Sequence, residues 1–172
     1  RPRGRELRVS PPPIKEVSLE NKIPIFQPAT LKTDEIKLEL SSLNPDLIAV
    51  VAFGQIIPPW LLELPHYGCI NVHASLLPHY RGAAPIQRAI MDGCTKTGVT
   101  TMFMDEGLDT GKILLQSEVP ISPDDTAGSL QEKLAGAGAK LLLKTIEELD
   151  QGRLHPRAQD DGQATYAHKI EK

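Results

Sequence analysis

The chain has 172 residues, 40% of them hydrophobic and 24% charged, which suits one globular domain with a sizeable core. No apolar run is long enough to span a bilayer and nothing resembles a signal peptide, so no membrane partner is expected and the cytoplasm is the expected compartment. The net charge of −3 is uneven: Arg1, Arg3, Arg5, Arg8 and Lys15 against Glu6 make residues 1–15 a +4 arm on a body of −7, which fits either a phosphate-rich partner or a solvated terminus.

The chain opens on Arg1-Pro2-Arg3-Gly4, without an initiator methionine, and continues through Pro11-Pro12-Pro13. This stretch reads as an extended loop with no plausible strand before it, as though the sequence starts partway through a domain. Residues 23–27 could form a short strand between prolines. Ile36, Leu40 and Leu43 recur at helical spacing over 34–43, with Thr33 or Asp34 available as N-cap and Asn44-Pro45 as the stop. The apolar run at 46–53 predicts a strand covered on both faces, and Pro58-Pro59 a short helix opening on prolines.

Residues 69–73 predict a second buried strand, 85–91 a short helix, and 98–104 and 113–119 two more strands. Between the last two lies the loop Asp105-Glu106-Gly107-Leu108-Asp109-Thr110-Gly111. A long amphipathic helix over 126–149, capped by Thr126 and ended by Gly152, carries a stripe of Leu130, Leu134, Ala137, Leu141 and Leu149. Gly136 and Gly138 within it suggest close packing on a sheet. The alternation of strands and helices predicts an α/β fold around a mainly parallel sheet, with ligands gathering beyond the carboxyl ends of the strands. Cys69 and Cys94 form no CxxC pair and are expected to be reduced thiols, and His66, His79, His155 and His168 lack metal-ligand spacing to His73, so no metal is expected.

The chemistry concentrates in Asn71-Val72-His73-Ala74-Ser75-Leu76-Leu77-Pro78. On a strand, residues two apart share a face, so Asn71 and His73 project together while Val72 packs the other way. An amide N–H can donate to a developing oxyanion, and an imidazole can do the same or pass a proton to a leaving nitrogen. Asp109, in a glycine-flanked loop, could hold the imidazole or take a proton from an ammonium. Such a set is suited to moving an acyl unit onto an amine.

That octapeptide, followed by Tyr80-Arg81-Gly82-Ala83-Ala84-Pro85-Ile86-Gln87-Arg88-Ala89-Ile90, closely resembles the signature of the folate-dependent formyltransferases, and Gly98-Val99-Thr100 and the 105–111 loop extend the match. Within that superfamily, residues 81–88 are most similar to the members that formylate methionyl-tRNA. The resemblance implies a Rossmann-like domain that takes the formyl group from 10-formyltetrahydrofolate and places it on the amino group of initiator methionyl-tRNA. It implies catalytic roles for Asn71, His73 and Asp109 and folate contacts by Ser75, Leu76, Leu77 and Pro78. It also matches the basic arm to a loop reaching the tRNA acceptor stem, with Arg5 as the inserted side chain. Arg81 and Arg88, flanking the folate loop, could reach a phosphate or the folate glutamate.

By the same resemblance, residues 1–152 correspond to a catalytic domain lacking its first strand–helix–strand unit, and 153–172 to a polar tail starting a linker to a further domain. A chain without that unit would expose strand edges and core and turn over little. A monomer is expected. Two other readings stay open on the residues alone: the same chemistry on another acceptor (a sugar-nucleotide amine, a glycinamide, or water), and a non-catalytic RNA-binding module using the basic arm.

Overall fold

The computed structural model describes residues 11–171 throughout and, before them, the backbone of two short strands, β1 (Pro2–Arg3) and β2 (Arg8–Val9), which pair antiparallel. Arg5 lies outside the described residues.

Two expectations for the first third are corrected. The proline run does not stay extended: Pro13 opens helix α1 (Pro13–Glu20), because a fixed φ and a missing N–H suit the first helical turn. Residues 23–27 form no strand, since Pro24 and Pro28 interrupt any ladder of donors. Helix α2 (Asp34–Ser42) is capped by Thr33, whose hydroxyl accepts from the Ile36 amide.

The main sheet has four strands in chain order: β3 (Ile48–Val51), β4 (Cys69–His73), β5 (Lys96–Phe103) and β6 (Ile113–Pro120). Helix α3 (Pro59–Leu62) lies between β3 and β4, and α4 (Pro85–Met91) between β4 and β5. The α/β class is as expected, but the described sheet is mixed rather than mainly parallel. Only β3 and β4 run parallel, and both β4–β5 and β5–β6 are antiparallel. The connection between β5 and β6 holds no helix to carry the chain back to the starting end, so the strand returns as an antiparallel neighbour. Strand β3 is shorter than its apolar run and is not covered on both faces. Its outer edge is unpaired among the described residues, Val51 is 60% exposed, and Ala52 at φ 49 turns the chain away.

Helix α5 (Ala127–Asp150) covers one face of the sheet. Thr126 and Ser129 cap it reciprocally, each side chain accepting from the other's backbone amide. Its stripe of Leu130, Leu134 and Leu141 packs on Val99 of β5 and Val119 of β6. Gly138 lies close against the sheet, since a Cβ there would lie 3.1 Å from Val72 Cγ1, whereas Gly136 faces open space. The stripe has a polar member that periodicity missed: Thr145 is fully buried, its hydroxyl 2.8 Å from that of Thr101 and donating to the Leu141 carbonyl at 2.7 Å.

Strand β5 is the spine, buried from Thr97 to Met102. Val99 and Thr101 face α5, and Gly98, Thr100 and Met102 face the opposite side, where the loop after β4 lies. At Gly98 a Cβ would run into the Ser117 carbonyl and the Leu76 side chain. Gly98→Ala is therefore expected to destabilise the fold by about 1–3 kcal/mol, read as a lower denaturant midpoint.

Asp125, just before α5, is held by the Lys133 ammonium at 2.6 Å, the Ser122 amide at 2.8 Å and the Ser129 hydroxyl at 2.8 Å, which bring its carboxyl down to about 2. A carboxyl lowered on folding stabilises the native state above its unfolded value and loses that contribution as pH falls through the folded one. The stability gap between wild type and Asp125→Asn is expected to be full at neutral pH and to close between about pH 4 and pH 2 in denaturation series.

Candidate active site

The pairing register sets the first two groups. Asn71 lies opposite Met102 and His73 opposite Thr100, so both side chains share the face of β5 that points away from α5. Val72 goes the other way, into the α5 core.

Asp109 arrives from the loop between β5 and β6. Its backbone sits in the left-handed region, φ 54, where a short polar side chain is tolerated better than most. Gly107 and Gly111 flank it, and at Gly111 a Cβ would collide with the Phe103 carbonyl. The carboxylate meets three partners from two other segments. Oδ2 accepts from the Gly82 amide at 2.7 Å and lies 3.7 Å from His73 Nδ1, and Oδ1 accepts from Asn71 Nδ2 at 3.4 Å. The amide, imidazole and carboxylate picked out in the sequence thus converge, across 38 residues between Asn71 and Asp109.

His73 is buried and its far side is anchored: Nε2 lies 2.8 Å from the Tyr80 carbonyl. A carbonyl only accepts, so Nε2 carries the proton and Nδ1 is the nitrogen turned to Asp109. Tyr80 is itself pinned at φ 59, its amide donating to the Thr165 hydroxyl at 2.8 Å. Its phenol donates to Asp92 at 2.9 Å and lies 3.2 Å from Cys94 Sγ. Burial, followed by these two neighbours, pushes that phenol above the ordinary tyrosine range, so it stays a neutral donor. Cys69 and Cys94 are both free thiols, and burial pushes Cys69 up to about 11.

The loop Ser75-Leu76-Leu77-Pro78 is braced from below. Thr100 donates to the Ser75 carbonyl at 2.7 Å and accepts from the Leu77 amide at 3.1 Å, while Gln116 donates to the Leu77 carbonyl at 2.9 Å. Ser75 and Leu77 turn their side chains inward, Leu77 against Met102 and Ile113, and Leu76 lies over Gly98. Pro78, after a cis Leu77–Pro78 bond, is half-buried.

Arg81 corrects an expectation. Instead of reaching outward for a phosphate or a folate glutamate, its guanidinium is buried at 2% exposure. It donates through Nε and Nη2 to Gln159 Oε1 at 3.1 and 2.8 Å, and through Nη2 to Asp161 at 2.8 Å. A guanidinium offers only donors in a fixed fork, and these acceptors take it. Arg88 lies 3.4 Å from the His168 carbonyl.

Residues 153–171, which read as a polar tail, run back across this face. Arg81 bonds this segment through both of its backbone groups: its amide donates to the Thr165 carbonyl at 2.8 Å, and its carbonyl accepts from the Ala167 amide at 2.7 Å. Farther along, Arg157 bridges to Ile113. Sequence reading missed Tyr80, Gly82, Gln159 and Thr165 as parts of the site; the one local signal was Ala167, an apolar residue in a polar stretch, which is fully buried. Among the described residues no cluster of three His, Cys, Asp or Glu is placed to hold a metal.

Residues 1–146 match the formyl transferase family. The methionyl-tRNA formyltransferase of Trichlorobacter lovleyi is 52% identical over all of this chain, which covers 54% of that protein; the chain thus spans about half the length of the curated relatives it matches. Among solved structures, the formyltransferase PseJ from Anoxybacillus kamchatkensis, in complex with UDP-4,6-dideoxy-4-formamido-L-AltNAc and tetrahydrofolate, superposes at a TM-score of 0.72. It shares 28% identity, over 91% of this chain and 82% of that one. Glycinamide ribonucleotide transformylase 1 from Geobacillus kaustophilus gives a TM-score of 0.69 at 31% identity, over 79% of this chain and 76% of that one. The shared architecture is Rossmann-like.

Arg81→Ala would leave Gln159 Oε1 without its donors and free the returning segment. It is expected to cost about 2–4 kcal/mol in stability and to speed proteolytic clipping within 153–171.

Proposed function

This chain belongs to the formyl transferase family, and on that premise we propose that it is the catalytic part of an enzyme that moves a formyl group from 10-formyltetrahydrofolate to the amino group of initiator methionyl-tRNA. The observation that carries the chemistry is one carboxylate, Asp109, shared between the side chains of Asn71 and His73. The acceptor follows from the relatives: those matched over the whole chain at about half identity are methionyl-tRNA formyltransferases, whereas the sugar-amine enzyme PseJ stands at 28%.

In this reading the methionyl nitrogen, once deprotonated, bonds to the formyl carbon, and the carbonyl oxygen becomes an oxyanion. Asn71 Nδ2–H donates to it, and so does His73 through Nδ1 when the ring carries a second proton beside the one Nε2 gives to the Tyr80 carbonyl. Collapse breaks the bond between the formyl carbon and the folate N10, which leaves with a proton delivered by His73. The proton lost by the attacking amine goes to the Asp109–His73 pair, so no charge accumulates and the pair is restored. Asp109 faces Nδ1 at 3.7 Å and aims the ring, and the Tyr80 carbonyl stops it from turning. Binding of folate along 75–78 is part of the same proposal. The inward turn of Ser75 and Leu77 makes that contact one through the loop's backbone, with Leu76 and Pro78, rather than through the two buried side chains. Contact between the basic arm, with Arg5, and the tRNA acceptor stem belongs here too, as does action in the cytoplasm as a monomer. No helix among the described residues is long and apolar enough to cross a membrane.

The test is formyl transfer from 10-formyltetrahydrofolate to methionyl-tRNA, with a sugar-nucleotide amine and glycinamide ribonucleotide as competing acceptors, using the full-length protein that carries this chain. Asn71→Ala and His73→Ala are each expected to lower kcat by about 100- to 1000-fold. Wild-type turnover by either variant overturns the mechanism, and preference for a small amine overturns the tRNA assignment alone.

A further inference from the structure

We propose that Gln159 is a positioning residue for the Asp109 carboxylate, acting from a segment outside the signature motifs. The inference rests on the formyl-transfer reading for its kinetic consequence, but not for its structural one.

The side chain of Gln159 sits between a donor that cannot accept and two acceptors that cannot donate. Its Oε1 takes both bonds from the buried Arg81 guanidinium, at 3.1 and 2.8 Å. That fixes the amide's orientation and leaves Nε2 to donate to the carbonyls of Asp109 at 2.8 Å and Gly111 at 2.7 Å. These carbonyls flank Thr110 on the side of the loop where Asp109 takes its left-handed φ. The other side is braced within the loop, Asp105 accepting from the Gly107 amide at 3.0 Å and from the Thr110 hydroxyl at 2.7 Å. Those bonds are exposed, and nothing in them ties the loop to the body of the protein. Gln159 supplies that tie. With it in place, the carboxylate sits 2.7 Å from the Gly82 amide and within reach of Asn71 and His73. Without it, two carbonyls lose their donors, the backbone at Asp109 is free to leave the left-handed region, and the carboxylate leaves its partners. Arg81 acts one step farther back, by holding the amide of Gln159 with its nitrogen facing the loop.

Two variants separate positioning from simple anchoring of the segment. Gln159→Glu keeps the shape and strengthens the pairing with Arg81, but it presents an acceptor to two carbonyl oxygens. Gln159→Ala removes both functions. In the full-length protein, Gln159→Glu is expected to keep KM near wild type for both substrates while kcat falls about 10- to 100-fold. In an Asp109→Asn background, Gln159→Ala is expected to lower kcat no further, since its effect runs through that carboxylate.

A readout independent of any substrate is the amide proton of Gly82 in protein labelled with ¹⁵N-glycine. Its bond to Asp109 shifts it downfield, and it is expected to move upfield in Gln159→Glu. Wild-type kcat in Gln159→Glu, or a Gly82 resonance left in place, overturns the proposal and reduces Gln159 to an anchor. A wild-type protein that transfers no formyl group overturns the functional reading instead, and the Gly82 resonance still decides the positioning role.

Discussion

The site depends on keeping one carboxylate where three stretches of chain meet. Asp109 stands on a loop with little regular structure, in a backbone conformation uncommon outside glycine, yet its two oxygens are claimed by a backbone amide, a side-chain amide and an imidazole. The partners come from two differently restrained elements: Asn71 and His73 from the end of a buried strand, Gly82 from the segment leading into α4. A carboxylate accepts through both oxygens at once, so a single side chain can hold the groups in register without covalent linkage. Histidine is fixed from the opposite side by the Tyr80 carbonyl, which leaves Nδ1 as the nitrogen that faces Asp109.

The sheet supplies the rigidity this demands. Strand β5 divides its residues between two tasks, Val99 and Thr101 meeting α5 and Gly98, Thr100 and Met102 supporting the 75–78 loop. Thr100 is the clearest case: one hydroxyl, buried, donates to one carbonyl of the loop and accepts from one of its amides. The loop after β4 is therefore continuous with the core rather than laid over it. Small residues appear where backbones approach, Gly98 under Leu76 and Gly138 against Val72.

Local patterns were readable where the cause was local. The ends of β4 and α4 match the sequence reading because a short apolar run and a proline at the first helical turn each carry their own reason. The cap of α5 was equally plain in Thr126. Residues 46–53 misled because an apolar run reports a tendency to be buried and not what lies beside it, and β3 is the outermost described strand. Arg81 misled in the opposite direction: a basic residue in a loop ordinarily faces water, and only acceptors 78 and 80 residues away explain why this one is inside.

The sequence by itself determined the α/β class, the family and the face shared by Asn71 and His73, because strand alternation and motif spacing are written within a few residues of one another. The tertiary structure decided the mixed sheet, the atom of His73 that faces Asp109, and the return of residues 153–171 across the site through Gln159 and Thr165. Those contacts join groups dozens of residues apart. No local pattern encodes them, since a hydrogen-bond partner is chosen by where the folded backbone places the nearest unsatisfied donor or acceptor.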